Sequence, residues 1–256
     1  MKTAVIIPAR LGAQRLPRKP LRELGGQPLI VQVWRRVARM GVGERVVVAT
    51  DDASVAAAVR AAGGDVAMTS PDCASGTERV AAVAQLPEFS SFDAFVNVQG
   101  DEPFVGEQFV RAAAEQVESG RFPLGTVAAR ATDDIFGRPM VVKVVTGVDG
   151  RALYFSRAPI PWLRDAADAR TRAPLTLQHI GVYSYTRDAL MRWIALPPHP
   201  LEEIERLEQL RPLAHGIPLG VAVVNERAES GIDTEEDLQH ANARWESWMA
   251  EDSLCR

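Results

Sequence analysis

Hydrophobic positions in the first hundred residues recur with two alternating periods. "TAVIIP" (3–8), "RVVVAT" (45–50), "DVAM" (65–68) and "DAFVNVQ" (93–99) are short, β-branched and apolar over most of their length, as strands buried on both faces are. Between them lie longer segments whose apolar residues return every three or four positions. Leu29, Val33 and Val37 mark a helix over residues 28–40, and Ala/Val-rich stretches mark helices over about 53–62 and 76–86. Strand and helix in repeated alternation predict βαβ units and a mainly parallel sheet.

The second half is less regular. "PMVVKVV" (139–145), "RALYF" (151–155) and "LTLQHIGVYSY" (175–185) read as strands, the last as a long antiparallel element. "RDAADARTRAP" (164–174) is polar and ends in Pro, which reads as a mobile loop. "PLEEIERLEQLR" (200–211) reads as one helix with Leu201, Ile204, Leu207 and Leu210 along one side. "GVAVV" (220–224) is a late strand, and residues 234–250 form a terminal helix carrying Trp245 and Trp248. No repeat, low-complexity tract or linker interrupts the chain. It reads as a single domain over 1–256, with a strand-rich part at about 125–200 inserted in it or appended.

Composition adds limits rather than a function. With 46% hydrophobic and 24% charged residues in 256, the chain can bury a substantial core. A net charge of -4 argues against a general nucleic-acid binder, which needs a basic surface. The start, "MKTAVIIPAR", is too short in apolar residues for a secretory signal, and nothing approaches the roughly 18 needed for a membrane span, so a cytoplasmic protein is expected. Cys73 and Cys255 have no metal-type spacing, and neither a disulfide framework nor a Cys zinc site is expected.

Against this acidic background, "RLGAQRLPRK" (10–19) gathers Arg10, Arg15, Arg18 and Lys19 with no acid, just beyond the first strand. The stretch is either a solvated loop or an anion site. Its place beyond the C-terminal end of a parallel strand favours the second, because open α/β sheets bind ligands there. Neither a G-x-G-x-x-G nor a Walker pattern is present, so side chains rather than a glycine cradle would supply the charge, which suits a triphosphate. "VNVQGDEP" (96–103) brings Asp101 and Glu102 to the same edge. Gly100 permits close backbone approach, and Asp101 is either a turn residue bonding its own backbone or a ligand for a hard cation such as Mg2+. A second carboxylate is then needed, and Asp233 in "SGIDTEEDL" offers one. Asp233 reads equally as a helix N-cap, with Glu236 three residues on, and the two roles are compatible. In "CASGTERVAAV", Ser75 and Glu78 fit a capping box that opens a helix at the sheet edge, with Arg79 in its first turn.

Eight blocks in order, "IIPARLGAQRLPRKPL", "VATDD", "SGTERVA", "VNVQGDEP", "ALYFSRAPIPW", "HIGVYSY", "LEEIERLEQLR" and "GIDTEEDL", resemble the 3-deoxy-manno-octulosonate (Kdo) cytidylyltransferases, or CMP-Kdo synthetases. They run from about residue 4 to 238. The resemblance implies a three-layer α/β nucleotidyltransferase fold, with a mostly parallel but mixed sheet and a strand-rich dimerising insertion. It implies a homodimer that joins CTP and Kdo to give CMP-Kdo and pyrophosphate with Mg2+, supplying an activated sugar for lipopolysaccharide or another surface polysaccharide. Carried over residue by residue, Arg10, Arg15 and Lys19 would hold the triphosphate. Ser75, Gly76, Arg79 and Gln99 would surround the cytidine and its junction with the sugar. Asp101 and Asp233 would bind Mg2+, and with Arg10 and Lys19 they form the catalytic set. Arg157, His179, Tyr183, Glu208 and Gln209 would line the sugar site, Arg157 meeting the sugar carboxylate.

Five features depart from the family pattern. Ala13-Gln14 stand for Ser-Thr, Arg18 for Gly or Asn, and Arg138-Pro139-Met140 for Asn-Pro-Asn, while loop 164–174 is short and the tail beyond Asp237 long. A different 2-keto-3-deoxy acid, 8-amino-Kdo or a sialic-acid-like acceptor, is therefore a second reading. A silent nucleotide-binding regulatory protein is a third, opposed by the retained carboxylates and basic loop.

Overall fold

Alternate residues of the first strand belong to two different cores. Ala4 and Ile6 pack into one apolar cluster, Val5 and Ile7 into the other, and all four are fully buried. A strand that is apolar on both faces must be covered on both, so the sheet is the middle of three layers. The computed structural model describes residues 1–12 and 15–254.

Along the chain, β1 (Thr3–Ala9) leads through a 3-10 turn at Lys19–Leu21 to a short ladder of β2 (Glu23–Leu24) and β3 (Gln27–Pro28), then α1 (Leu29–Arg39). Next come β4 (Arg45–Thr50), α2 (Ala53–Ala61), β5 (Asp65–Met68), α3 (Gly76–Ala84) and β6 (Ala94–Asn97). The middle holds α4 (Glu107–Glu118), β7 (Leu124–Arg130), β8 (Lys143–Thr146), β9 (Ala152–Ser156), α5 (Ala169–Arg172) and β10 (Leu177–Thr186). The last third is α6 (Arg187–Ala195), α7 (Pro200–Glu205), α8 (Leu210–Ala214), β11 (Leu219–Val224) and α9 (Glu235–Leu254).

The main sheet runs β11-β7-β10-β6-β1-β4-β5. All its neighbours are parallel except β10, which is antiparallel to both β6 and β7, so the expected mixed, mostly parallel three-layer architecture is what the chain adopts. β8 joins β10 at Gln178 and pairs with β9 along its length. The reversed strand matters for the site. Tyr183 pairs with Asn97 near the C-terminal end of β6, so the earlier residues of β10, His179 among them, extend past that end to the ligand edge. Apolar residues of α1, α2, α4 and α9 fill one cluster, and those of α3, α6 and α8 fill the other.

The elements differ from the sequence reading in three places, each with a local cause. Residues 139–142 are not strand: Lys143, fully buried, donates from Nζ to the carbonyls of Val141 (2.7 Å) and Arg157 (2.5 Å), which folds the preceding segment back over it. Segment 164–174 is not an irregular loop. It holds two 3-10 turns and α5, and Arg172 pairs with Asp133 and stacks over Phe136. The helix expected over 200–211 is broken. Arg206 adopts φ 54°, which ends α7, and α8 begins four residues later. Only Leu207 and Leu210 of the expected apolar stripe are buried, and Ile204 is 79% exposed.

Candidate active site

Three chain segments meet at the edge where β1 and β6 end. Gly100 allows the meeting, because a Cβ there would stand 2.6 Å from the Pro8 carbonyl oxygen. Beyond it opens a cleft of two lobes, about 970 and 1240 Å3. Arg10, Arg15, Ser75, Gly76, Gln99, Asp101 and Asp233 line both lobes, while Lys19 and Arg79 line the first and His179, Tyr183, Glu208 and Gln209 the second. The structure thus collects thirteen of the fourteen expected site residues in one cleft. Arg157 is the one outside it.

The basic loop and the acidic pair are joined by Lys19. Its Nζ donates to Asp101 Oδ2 at 2.6 Å and to Asp233 Oδ1 at 2.9 Å, with 13% of the side chain exposed. Arg15 donates to the other oxygen, Asp233 Oδ2, at 2.9 Å. Burial works to lower the Lys19 pKa, but Asp101 and then Asp233 outweigh it and leave it above the ordinary value. Glu102, expected only as a second acid of the "GDEP" turn, points inward. Burial first, then the charges of Asp101 and Asp233, push its carboxyl up to about 8. Gly231 makes room for it, since a Cβ there would meet Glu102 Oε1 at 2.6 Å.

Asp233 is free for this work because it is not the cap of α9. Thr234 Oγ1 accepts from the Asp237 amide at 3.1 Å, while Asp237 Oδ2 accepts from the amides of Asp233 and Thr234. Against burial, the Thr234 hydroxyl and these two amides hold the Asp237 carboxyl below the usual range. The capping box lies one residue later than the sequence suggests, and the Asp233 side chain turns to Lys19. The box at α3 forms as expected: the Glu78 amide donates to Ser75 Oγ (3.2 Å) and the Ala74 amide to Glu78 Oε2 (2.8 Å). Gly76 then begins the helix with the cleft in front of its amides.

Arg79 is 2% exposed and bonds Thr69 Oγ1 at 2.5 Å and Asp51 at 3.2 Å, so it braces the wall. Gln99 Nε2 donates to the Gly181 carbonyl at 3.2 Å, where β10 breaks register between Ile180 and Tyr183. His179 lies against Phe155 and Tyr183 and contacts Thr126 Oγ1 at 2.9 Å. That hydroxyl gives its own proton to the Val182 carbonyl at 2.7 Å, so Nε2 of the imidazole is the protonated nitrogen. Burial lowers the His179 pKa to about 3 and raises that of Tyr183 well above its ordinary value. The enclosed Glu208 carboxyl is raised by burial against the hydroxyls of Ser75 and Thr77. Its Oε2 and the Gln209 Nε2 are buried without hydrogen-bond partners, side by side in sequence at the wall of the second lobe. Such orphaned groups call for a polar ligand.

Arg157 does different work from that expected of it. Its guanidinium donates to the carbonyls of Glu205 (2.8 Å), Pro139 (3.2 Å) and Arg206 (3.3 Å), and its amide to Glu205 Oε2 (3.0 Å). It fixes the helix break that carries Leu207 to Gln209. Arg206 itself lines both lobes, and no sequence signal marks it because the 200–211 pattern runs unbroken through it. Among the departures, Arg138 accepts from Lys143 Nζ through its carbonyl at 3.4 Å and pairs its guanidinium with Asp134, while the Met140 side chain is exposed. Ala13, Gln14 and Cys255 lie outside the described residues. Among the described residues no group of three or more acids, His or Cys is spaced to hold a metal unaided, and no helix is long and apolar enough to cross a membrane.

The family model for cytidylyltransferases matches residues 4–222. A 3-deoxy-manno-octulosonate cytidylyltransferase of Gemmatimonas aurantiaca is 57% identical over 99% of this chain and 98% of its own. One of Aliivibrio salmonicida is 45% identical over 95% of this chain and 98% of its own. The solved structure of CMP:2-keto-3-deoxy-manno-octonic acid synthetase complexed with CTP is 36% identical, covers 96% of this chain and 99% of its own, and superposes with a TM-score of 0.88. A glucose-1-phosphate thymidylyltransferase from Bacillus anthracis, 15% identical with a TM-score of 0.63 over 94% of each chain, shares the fold.

Proposed function

The chain belongs to the cytidylyltransferase family, and from that premise we propose how its cleft performs the transfer of CMP from CTP to Kdo. It is a nucleotidyltransferase. The anomeric hydroxyl oxygen of the sugar bonds to the α-phosphorus of CTP, the bond to the β-phosphate breaks, pyrophosphate leaves, and the hydroxyl proton passes to solvent. Catalysis of this kind is positioning and charge neutralisation. Arg10, Arg15 and Lys19 hold the triphosphate and the departing pyrophosphate. Ser75, Gly76 and Gln99 bound the cytidine and its junction with the sugar, the amides of α3 meeting phosphate oxygen. His179, Tyr183, Glu208 and Gln209 form the sugar wall, where the orphaned Glu208 Oε2 and Gln209 Nε2 meet hydroxyls. Arg157 positions that wall through the carbonyls at 205–206, and Arg206 is the cation facing the sugar carboxylate.

Asp101 and Asp233 are the residues to hold a divalent cation, for which we assign Mg2+. What supports the assignment is their convergence on one ammonium at 2.6 and 2.9 Å, with a third acid buried beside them. Mg2+ there would neutralise the α-phosphate and lower the pKa of the attacking hydroxyl. The same reading places the reaction in the cytoplasm, where CTP is made, and its product in surface polysaccharide synthesis. A homodimer belongs to it too, supported by Val148 and Leu153, exposed apolar residues of the β8–β9 hairpin away from the cleft.

The observation that carries the proposal is the cleft itself, which combines the Lys19–Asp101–Asp233 cluster with unpartnered sugar-wall groups. Pyrophosphate release measured with CTP, Mg2+ and a panel containing Kdo, its 8-amino analogue and a sialic acid is the test. Kdo is expected to turn over fastest. Equal or faster release with another acid would overturn the acceptor, and no release with any of them would overturn the assigned chemistry.

A further inference from the structure

Lys19 stands at the very point where the two carboxylates converge. Its Nζ bonds Asp101 Oδ2 and Asp233 Oδ1, and Arg15 occupies Asp233 Oδ2, so both oxygens of Asp233 already carry a cation. A divalent ion held by Asp101 and Asp233 would draw on the same oxygens, and an ammonium in that place would repel it. The two compete for the site. The backbone of Lys19 is fixed, its amide donating to the Leu16 carbonyl (3.1 Å) and its carbonyl accepting from the Arg22 amide (3.1 Å). Departure of the ammonium is therefore a rotation of a flexible side chain and needs no rearrangement of the loop.

We propose that Lys19 is the resident counter-cation of the Asp101–Asp233 pair and excludes a divalent ion until nucleotide phosphates draw it away. The inference rests on the reading of these two carboxylates as metal ligands. It makes nucleotide and metal binding mutually reinforcing: a triphosphate that recruits Lys19 vacates the carboxylates, and a metal on the carboxylates releases Lys19 to the triphosphate. The lysine so prevents a bare divalent ion from filling the cleft without its nucleotide, and it keeps three neighbouring acids from facing one another unpaired in the resting protein.

The test measures Mn2+ binding to the full chain without nucleotide, by the paramagnetic resonance signal of free Mn2+. It compares wild type with Lys19→Met, with Lys19→Gln, and with Lys19→Met combined with Asp101→Asn. Removing the competing charge is expected to tighten Mn2+ binding at least about tenfold in Lys19→Met, with a smaller gain in Lys19→Gln, whose amide still bonds one carboxylate. The combined variant should lose that gain. Equal affinity in wild type and both single variants, with the combined variant much weaker, would overturn the exchange while sustaining the carboxylate site. Affinity unmoved by Asp101→Asn would overturn the site as well. Circular dichroism and denaturation midpoints accompany each variant, and Lys19→Gln carries the comparison if Lys19→Met does not fold.

Discussion

His179 makes the stability of this fold depend on pH in a way that one substitution isolates. The imidazole is enclosed by Phe155, Tyr183 and Thr126, and burial holds its pKa at about 3, against 6.5 for the exposed group. Between those values the unfolded chain binds a proton that the folded chain does not, so stability falls as pH falls. The loss approaches 1.4 kcal/mol per pH unit below 6.5, which gives about 2 kcal/mol between pH 7 and pH 5. Glu102 acts in the opposite sense. Its folded pKa is raised to about 8, so its contribution is complete below the unfolded value and is lost as pH rises. The wild-type curve alone therefore mixes the two. His179→Gln keeps a donor for Thr126 Oγ1 and removes only the titration. Guanidinium denaturation of both proteins at pH 7 and pH 5 should show the variant losing about 2 kcal/mol less on acidification than wild type. Parallel pH curves would refute the claim that His179 is neutral and sealed in the folded state.

Further substitutions probe the cleft and its scaffold. Asp233→Asn and Thr234→Ala should show opposite effects: the first cutting pyrophosphate release severely with the α9 cap intact, the second costing about 1 kcal/mol in denaturation with most turnover kept. Equal stability losses would place the cap back on Asp233. Arg18→Gly should stabilise the protein by about 0.5–1 kcal/mol, because residue 18 sits at φ 57°, where a side chain costs more than the freedom glycine adds. Calorimetry checks it, with CTP turnover expected unchanged. Gly25→Ala should destabilise by about 2 kcal/mol or more, since its Cβ would fall 2.1 Å from Trp245 Nε1, and the denaturation midpoint reads this directly.

What the sequence conveyed was local. β1, β4 and β5 fall where their β-branched runs lie, because an apolar strand needs no information from elsewhere to declare itself. The break at Arg206 was not legible, since Glu-rich residues on both sides are good helix formers and the left-handed backbone is stabilised by Arg157, some fifty residues away. The cap of α9 was ambiguous for a related reason. Asp233 with Glu236 and Thr234 with Asp237 have the same spacing, and Lys19 and Arg15 decide between them by taking the Asp233 side chain. Nearly all of the residues that the family resemblance pointed to line the cleft, but it could not say how each is used. Arg157 shows the difference: its presence in "YFSRAPIPW" is compatible with a ligand contact, whereas its hydrogen bonds are to backbone carbonyls. Glu102 is the converse, a residue to which the sequence assigned no role beyond its place at the sheet edge, and whose carboxyl lies enclosed beside Asp101 where Gly231 leaves it room.

The packing of α9 on the β2–β3 ladder joins segments that are made far apart in time along the growing chain. Asn242 bonds the Gly25 amide and the Glu23 carbonyl, Glu235 pairs with Arg22, and Trp245 fits over Gly25. The helix that fastens Asp233 is thus made long after Lys19, with which Asp233 pairs across 214 residues of chain. A nascent chain already complete through β11 has its whole main sheet but only one of the two carboxylates, and Lys19 has only Asp101 to pair with. On the proposed reading of the cleft, a growing chain would gain turnover only once α9 has been made and holds Asp233 beside Asp101.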